Sequence, residues 1–356
     1  MLDFLTEKEE WLTRLGKERR PIVLYGTGNG ADKLLDLCWE RGIPIAGIFA
    51  SDDFVCGQEF RGFAVQNYGQ VIKILGGDIV ILLAFSTERQ DMLSRFACLA
   101  ERHMVLAPNL PIFGGRETVS IPWVEKYEAK LKKVYDKLAD GASRKVFAAV
   151  LNYKLSGKLD YLSGCESRRA DDLKEIFTFT GDEAYLDLGA YDGDTVAEFL
   201  ALTGGRYGKI IAVEPDRHSC AKLKRRFRSL LRLEIHEMGI WDGKAEMGFS
   251  GTGGRAASFF GKRKYGAAVD SIDGLLEGGD ATYIKMDVEG AEGKAISGGT
   301  ETIRRCRPKI LAAAYHYDTD IFELPLLLWD LVPEYRIYLR KHPYVPAWEV
   351  NIFACI

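Results

Sequence analysis

Tyr185-Leu-Asp-Leu-Gly-Ala-Tyr-Asp-Gly-Asp-Thr195 and, further along, Ile210-Ile-Ala-Val-Glu-Pro-Asp216 are the stretches that decide the fold. An apolar run ends in a glycine turn, a helix starts, and a second apolar run ends in an acid. That order is the pattern of a mononucleotide-binding half, in which glycines let the backbone approach a ligand and the acid after the second strand takes ribose hydroxyls. The turn carries Asp187, Asp192 and Asp194. Three carboxylates repel a pyrophosphate, whereas a sulfonium and an ammonium are drawn to them. The turn therefore favours S-adenosylmethionine (SAM) over NAD.

Around this pair of stretches the chain reads as a soluble α/β protein of two domains. It has 356 residues, 47% hydrophobic and 28% charged, enough for domains of roughly 100–200 residues each. A formal charge of −3 argues against nucleic acid as a partner, since such domains carry a basic excess. The seven cysteines stand singly with no C-x-x-C pair, which fits a reducing compartment and argues against structural zinc. The N-terminus is charged where a signal peptide is apolar, and no apolar run reaches the ~18 residues of a membrane span. The expected location is the cytoplasm, with no membrane partner; an oligomer is left open.

Residues 2–16 carry apolar positions at helical spacing. From Pro21 the pattern alternates: a strand at Ile22–Tyr25, the turn Gly26-Thr-Gly-Asn-Gly-Ala31, a helix from Asp32 to Arg41, strands at 45–49 and 78–84, and a helix over 88–102. This predicts a smaller Rossmann-like α/β domain over 1–115, ending near Gly115. Residues 116–180 read as a helical connector, with Gly141 as a stop signal. The second domain spans 181–356, with strands expected at 184–188, 209–213, 232–236, 282–286, 309–314, 335–339 and 350–354, the last two as an edge hairpin.

Candidate site residues follow from that layout. Gly189 and Gly193 give the turn its close backbone approach, and Glu214 ends the second strand, where it accepts from ribose hydroxyls. Gly239, Ile240 and Trp241 follow the third strand, where an adenine can lie against apolar side chains or Trp241 can serve as core. Asp287 and Glu289 close the fourth strand, the end at which open α/β sheets place reacting groups. His316 follows the fifth strand beside them and is the expected general base, with Asp287 orienting it. In the alternative assignment, Asp287, Glu289 and His316 hold Mg²⁺ that acidifies the acceptor hydroxyl. The basic run from Arg217 to Arg232 reads as a solvated helix face.

Five segments together resemble the FkbM family of SAM-dependent methyltransferases. They are Asp187–Thr195, Val213–Asp216, Gly239–Asp242, Ile284-Lys-Met-Asp-Val-Glu-Gly-Ala-Glu292 and Tyr315-His-Tyr-Asp-Thr-Asp-Ile-Phe-Glu-Leu-Pro325. The resemblance covers residues 140–356, and the run from Lys285 to Glu292 is its most specific part. It implies a seven-stranded class I (Rossmann-like) methyltransferase sheet and O-methylation of a sugar, glycan precursor or secondary metabolite. The SAM-binding set is then Asp187, Gly189, Asp192, Gly193, Asp194, Glu214, Gly239, Ile240 and Trp241.

The first turn, Gly26–Ala31, fits G-x-G-x-x-A and has no acid, with Asp52 and Asp53 near the end of the second strand. Residues 20–110, through Ser51–Val65, resemble the nucleotide-sugar-binding domain that precedes some sugar acyltransferases. That resemblance implies a small-molecule or nucleotide-linked sugar acceptor; a regulatory nucleotide or an empty scaffold are the other uses. Two further functions compete with methyl transfer: an NAD-dependent oxidoreductase using this first turn, and a non-catalytic protein that binds SAM or a nucleotide.

Overall fold

A computed structural model describes residues 2–113, 117–249 and 265–356. The expected boundary near Gly115 lies outside the described residues. Packing divides the chain into two units, each assembled from three segments. One is Met1–Lys132, Lys145–Glu166 and Lys341–Glu349; the other is Lys133–Arg144, Ser167–Arg340 and Val350–Ile356.

The first unit holds strands β1 (Ile22–Tyr25), β2 (Gly47–Phe49), β3 (Glu59–Phe60), β4 (Phe63–Gln66), β5 (Val80–Leu83) and β6 (Met104–Leu106) in the order β3-β4-β2-β1-β5-β6. All pairings are parallel except the β3–β4 hairpin. β1, β2 and β5 are buried at every position, as expected of parallel strands covered on both faces. Gly30, in the helix Asn29–Glu40, lies so near β5 that a Cβ would fall 2.1 Å from the Ala84 carbonyl oxygen. The start of the chain departs from its apolar spacing: only Trp11–Gly16 is helical. The Thr6 and Glu7 N–H groups donate to Asn152 Oδ1 at 2.8 and 2.9 Å, so that side chain replaces helical partners while Leu2 and Leu5 remain buried.

The second unit is built on strands β7 (Ala184–Leu188), β8 (Lys209–Val213), β9 (Leu233–His236), β10 (Gly239–Ile240), β11 (Ala245–Phe249), β12 (Tyr265–Asp270), β13 (Tyr283–Met286), β14 (Lys309–Ala313), β15 (Arg336–Lys341) and β16 (Val350–Cys355). Seven form one sheet in the order β15-β16-β14-β13-β7-β8-β9. β7, β8, β9, β13 and β14 run parallel, and β16 is antiparallel to β14. The chain leaves β7 toward β8 on one side and returns to β13 on the other, so the carboxyl ends of β7 and β13 flank the switch point where such sheets bind ligands. Beneath it Tyr185 stacks on Tyr283 at 4.7 Å between centroids, and Phe199 meets Tyr185 at 4.4 Å. A small sheet, β10-β12-β11, was not legible as strands.

The 117–180 segment is helical among its described residues, with long helices at Ile121–Lys137 and Gly141–Ser156. Gly141 starts the second of these and does not stop the first. The reason is Asp140, whose carboxylate accepts from the Ser143 N–H at 2.7 Å and satisfies a free N-terminal donor.

Candidate active site

The glycine turn after β7 is held from three directions. Gly189 has φ of +79°, and a Cβ there would fall 1.9 Å from the Asp287 carbonyl oxygen. Only glycine fits such a contact. Gly193, at φ +89°, precedes the helix Asp194–Leu202, and its Cβ would strike Leu223 and Phe227. From the β8 side, the Gly189 and Ala190 N–H groups both donate to the Val213 carbonyl at 3.0 Å.

Glu214 closes the same side of the turn. It is 6% exposed, and its two oxygens accept from the Tyr191 and Asp216 N–H groups, each at 2.8 Å. Burial pushes its carboxyl up to about 7, against the pull of those two donors. The group is thus poised to exchange its proton near neutrality.

The acids of the turn divide. Asp187 is fully buried; its Oδ2 accepts from the Thr195 hydroxyl at 2.6 Å, and its Oδ1 lies 3.4 Å from Lys285 Nζ. Arg226 stands 3.6 Å from Asp192, and Asp194 is exposed, accepting from the Thr195 N–H. The anionic cluster expected from the sequence is therefore partly neutralised from within: Lys285 offsets Asp187, and Arg226 faces Asp192. Lys285 had no place among the expected site residues. Its signal was a charge inside an otherwise apolar strand, which survives burial only with partners.

Gly239 and Ile240 are buried in β10, paired with Val269 and Asp270 of β12. Trp241 is half-buried against the Ala267 and Val269 cluster, as is Met247, with Lys294 Nζ 5.6 Å from the Trp241 ring centroid. Its backbone N–H donates to Asp270.

Beyond β13, Asp287, Glu289 and His316 do meet. Asp287 N–H donates to the Leu188 carbonyl at 3.1 Å, which binds this strand end to the end of β7. Glu289 sits at φ +54° in the turn that follows. His316 is 3% exposed; its Nε2 lies 3.6 Å from both Asp287 and Glu289, and its Nδ1 lies 3.1 Å from Glu292. Burial opposes charge on the ring, but three carboxylates overcome it and hold the imidazole proton well above the usual histidine range. This setting suits a cation better than the proton acceptor expected of His316. Burial raises the Glu289 carboxyl despite His316 beside it. Glu292 goes the other way: burial opposes its charge, but His316 and the Val288 N–H hold it below the usual range. The Tyr315 hydroxyl faces the Asp287 carboxylate at 3.4 and 3.5 Å. Glu292, Tyr315 and Thr195 complete the set that sequence reasoning missed. Ligand atoms of Asp287, Glu289 and His316 lie within 4.8 Å of one another, as do those of Glu292, His316 and Asp320.

The sheet order and the glycine turn at its switch point define a class I, Rossmann-like methyltransferase fold. Residues 187–346 match the family model described as the methyltransferase FkbM domain. Across both units the chain shares its fold with methyltransferase FkbM from Methylobacillus flagellatus KT, at a TM-score of 0.74 and 21% identity over 94% of this chain and 89% of that one. Fibrillarin from Aeropyrum pernix, solved with S-adenosyl-L-methionine, aligns over 52% of this chain and 73% of its own at 13% identity and a TM-score of 0.34. No curated protein matches the sequence.

Proposed function

We propose that the protein transfers the methyl group of SAM to a hydroxyl oxygen of a sugar, glycan precursor or secondary metabolite. One observation carries the reading: the donor-type turn and the acidic strand end are in direct contact, with Asp287 O pressed onto Gly189 so closely that no side chain fits between them. A donor lying on the turn thereby has carboxylates at its edge. SAM supplies an electrophilic methyl carbon on sulfur. The chain's part is to align it with the acceptor oxygen and remove the hydroxyl proton as the new C–O bond forms and the C–S bond breaks.

Glu214 takes the ribose hydroxyls, and Gly189 and Gly193 provide the space for the donor. Asp192 and Asp194 lie at the turn, and Gly239, Ile240 and Trp241 are the surface proposed for the adenine. Of the catalytic trio, Glu289 and Asp287 are the proton acceptors, both part-exposed, and His316 is the buried cation between them. A ring whose two nitrogens both face carboxylates has no lone pair to give an ion, so this reading contains no Mg²⁺ step.

The first unit, with its acid-free turn at the end of β1, is the proposed seat of a nucleotide or nucleotide-linked sugar. The cytoplasm is the inferred compartment, on the seven cysteines present as thiols. Among the described residues no helix is long and apolar enough to cross a membrane.

Isothermal titration with SAM, followed by mass spectrometry of nucleotide sugars and free glycosides incubated with protein and SAM, tests the proposal. The expected result is SAM binding and a product heavier by one methyl, at a rate that EDTA leaves unchanged. Absence of SAM binding refutes it, methylation on nitrogen refutes the acceptor class, and loss of rate in EDTA refutes the metal-free chemistry.

A further inference from the structure

Lys285 occupies the middle of β13, opposite Asp187 of β7 in the parallel register. Its side chain is nearly fully buried. Nζ donates to the Gly189 carbonyl at 2.6 Å and lies 3.4 Å from both the Leu188 carbonyl and Asp187 Oδ1. A buried ammonium is strongly disfavoured unless it is paired and hydrogen-bonded. Here every hydrogen-bond and ion-pair partner belongs to Asp187, Leu188 or Gly189, where β7 runs into the donor turn. Burial works against its charge, and the carboxylates of Asp187, Asp287 and Asp194 outweigh that.

The turn has a tie on each flank. β8 supplies the Val213 carbonyl and Glu214, which hold the N–H groups of Gly189, Ala190 and Tyr191. Lys285 supplies the opposing tie from β13, on the carbonyl side. Asp287 follows two residues after Lys285, directly beyond the end of β13, and its N–H is bound to the Leu188 carbonyl beside the turn. The strand that leads into the proposed proton acceptor therefore also fixes the donor turn. Lys285 does a second thing: it cancels the charge of Asp187, leaving that carboxylate to orient Thr195 at the helix start.

We propose that Lys285 is a positioning residue for the methyl donor, pinning the Gly189 carbonyl and the Asp187 carboxylate so that the glycine turn keeps the shape SAM requires. This rests on the SAM reading above. The competing view is that Lys285 and Asp187 are a buried ion pair that serves stability alone.

Four proteins separate the two: wild type, Lys285→Met, Asp187→Asn and the double variant, each assayed below its own Tm for SAM affinity by calorimetry and for kcat and KM toward both substrates. Lys285→Met strands a buried carboxylate, so its Tm falls. The double variant removes both charges and recovers Tm. Affinity for SAM behaves otherwise. It drops about ten- to a hundredfold in Lys285→Met, the worth of a charged hydrogen bond. It stays low in the double variant, because the Gly189 carbonyl has still lost its donor, and the KM for the acceptor is unmoved. Double-variant affinity equal to wild type overturns the proposal, as does normal affinity in Lys285→Met or a double variant too unstable to purify. A wild type that does not bind SAM instead fails the reading beneath it.

Discussion

Glu214 combines a stability cost with the proposed role in binding ribose. Its carboxyl sits at about 7 in the folded protein against an ordinary 4.5. The folded state thus binds this proton more tightly than the unfolded state. The contribution of Glu214 to the stability of the ligand-free protein is greatest below about 4.5, declines as pH climbs through 7, and flattens above it, a span of order a few kcal/mol. Binding runs in the opposite direction, since ribose hydroxyls need an ionised acceptor. Affinity for SAM is expected to rise through pH 7 and level off by about 8. Glu214→Gln should weaken binding about tenfold or more and flatten both profiles. Titration calorimetry and thermal melts between pH 5.5 and 8.5 check this, and a variant that keeps the wild-type slope excludes Glu214 as its source.

At the scale of elements, helix Gly141–Ser156 and strand β15 are joined by a buried cation. Arg340, 5% exposed, donates from Nε to Asp172 at 3.1 Å, from one terminal nitrogen to Asp140 at 2.7 Å, and from the other to the Ser143 hydroxyl at 2.9 Å. Burial would raise the Asp140 carboxyl, but Arg340 and Ser143 bring it down to about 2. Since the folded value lies below the ordinary 3.8, this part of the stability is present above about 4 and is lost as pH falls through 2. Arg340→Met leaves Asp172 buried and uncompensated, an expected loss of about 3–5 kcal/mol, read as a Tm lower by roughly 10 °C. Adding Asp172→Asn should return part of it; no recovery would assign the loss to packing. Elements differed in how plainly the sequence announced them. The inner strands of the main sheet were legible because burial on both faces writes continuous apolar runs such as Ile210–Val213. β10, only two residues long, and the mixed run Ala245–Phe249 write no such signal. Residues 2–10 misled for another reason: their apolar spacing is helical, yet a side chain far along the chain, Asn152, takes the backbone donors of Thr6 and Glu7. The site was legible where it lies at strand ends and obscure where charge cancels in the interior, as at Lys285 and Glu292.

Over the whole molecule, chain order and packing disagree. The expected second domain begins at 181, but the packing unit around the main sheet also draws on Lys133–Arg144 and Ser167–Thr180. Those segments are not ornamental. Leu173 and Phe177 are buried in the core around Tyr185, and Phe177 meets Phe353 at 5.4 Å and Tyr283 at 5.8 Å between ring centroids. Both carboxylate partners of Arg340 lie there too. A fragment of residues 181–356 would contain every proposed SAM and catalytic residue, yet it would expose the apolar face that Phe177 covers and leave Arg340 a buried cation without an anion. Losing two large buried side chains costs about 3–5 kcal/mol each, which with Arg340 consumes the 5–15 kcal/mol that holds a typical domain folded. The fragment is therefore expected to lack a cooperative melt and to bind no SAM. Extending it to 167–356 should restore part of its helical signal by returning Asp172, Leu173 and Phe177, though not Asp140. Circular dichroism melts of both fragments beside the full chain decide it, and a sharp transition in 181–356 near the full-length Tm would show that the sheet stands without its N-terminal wrapping.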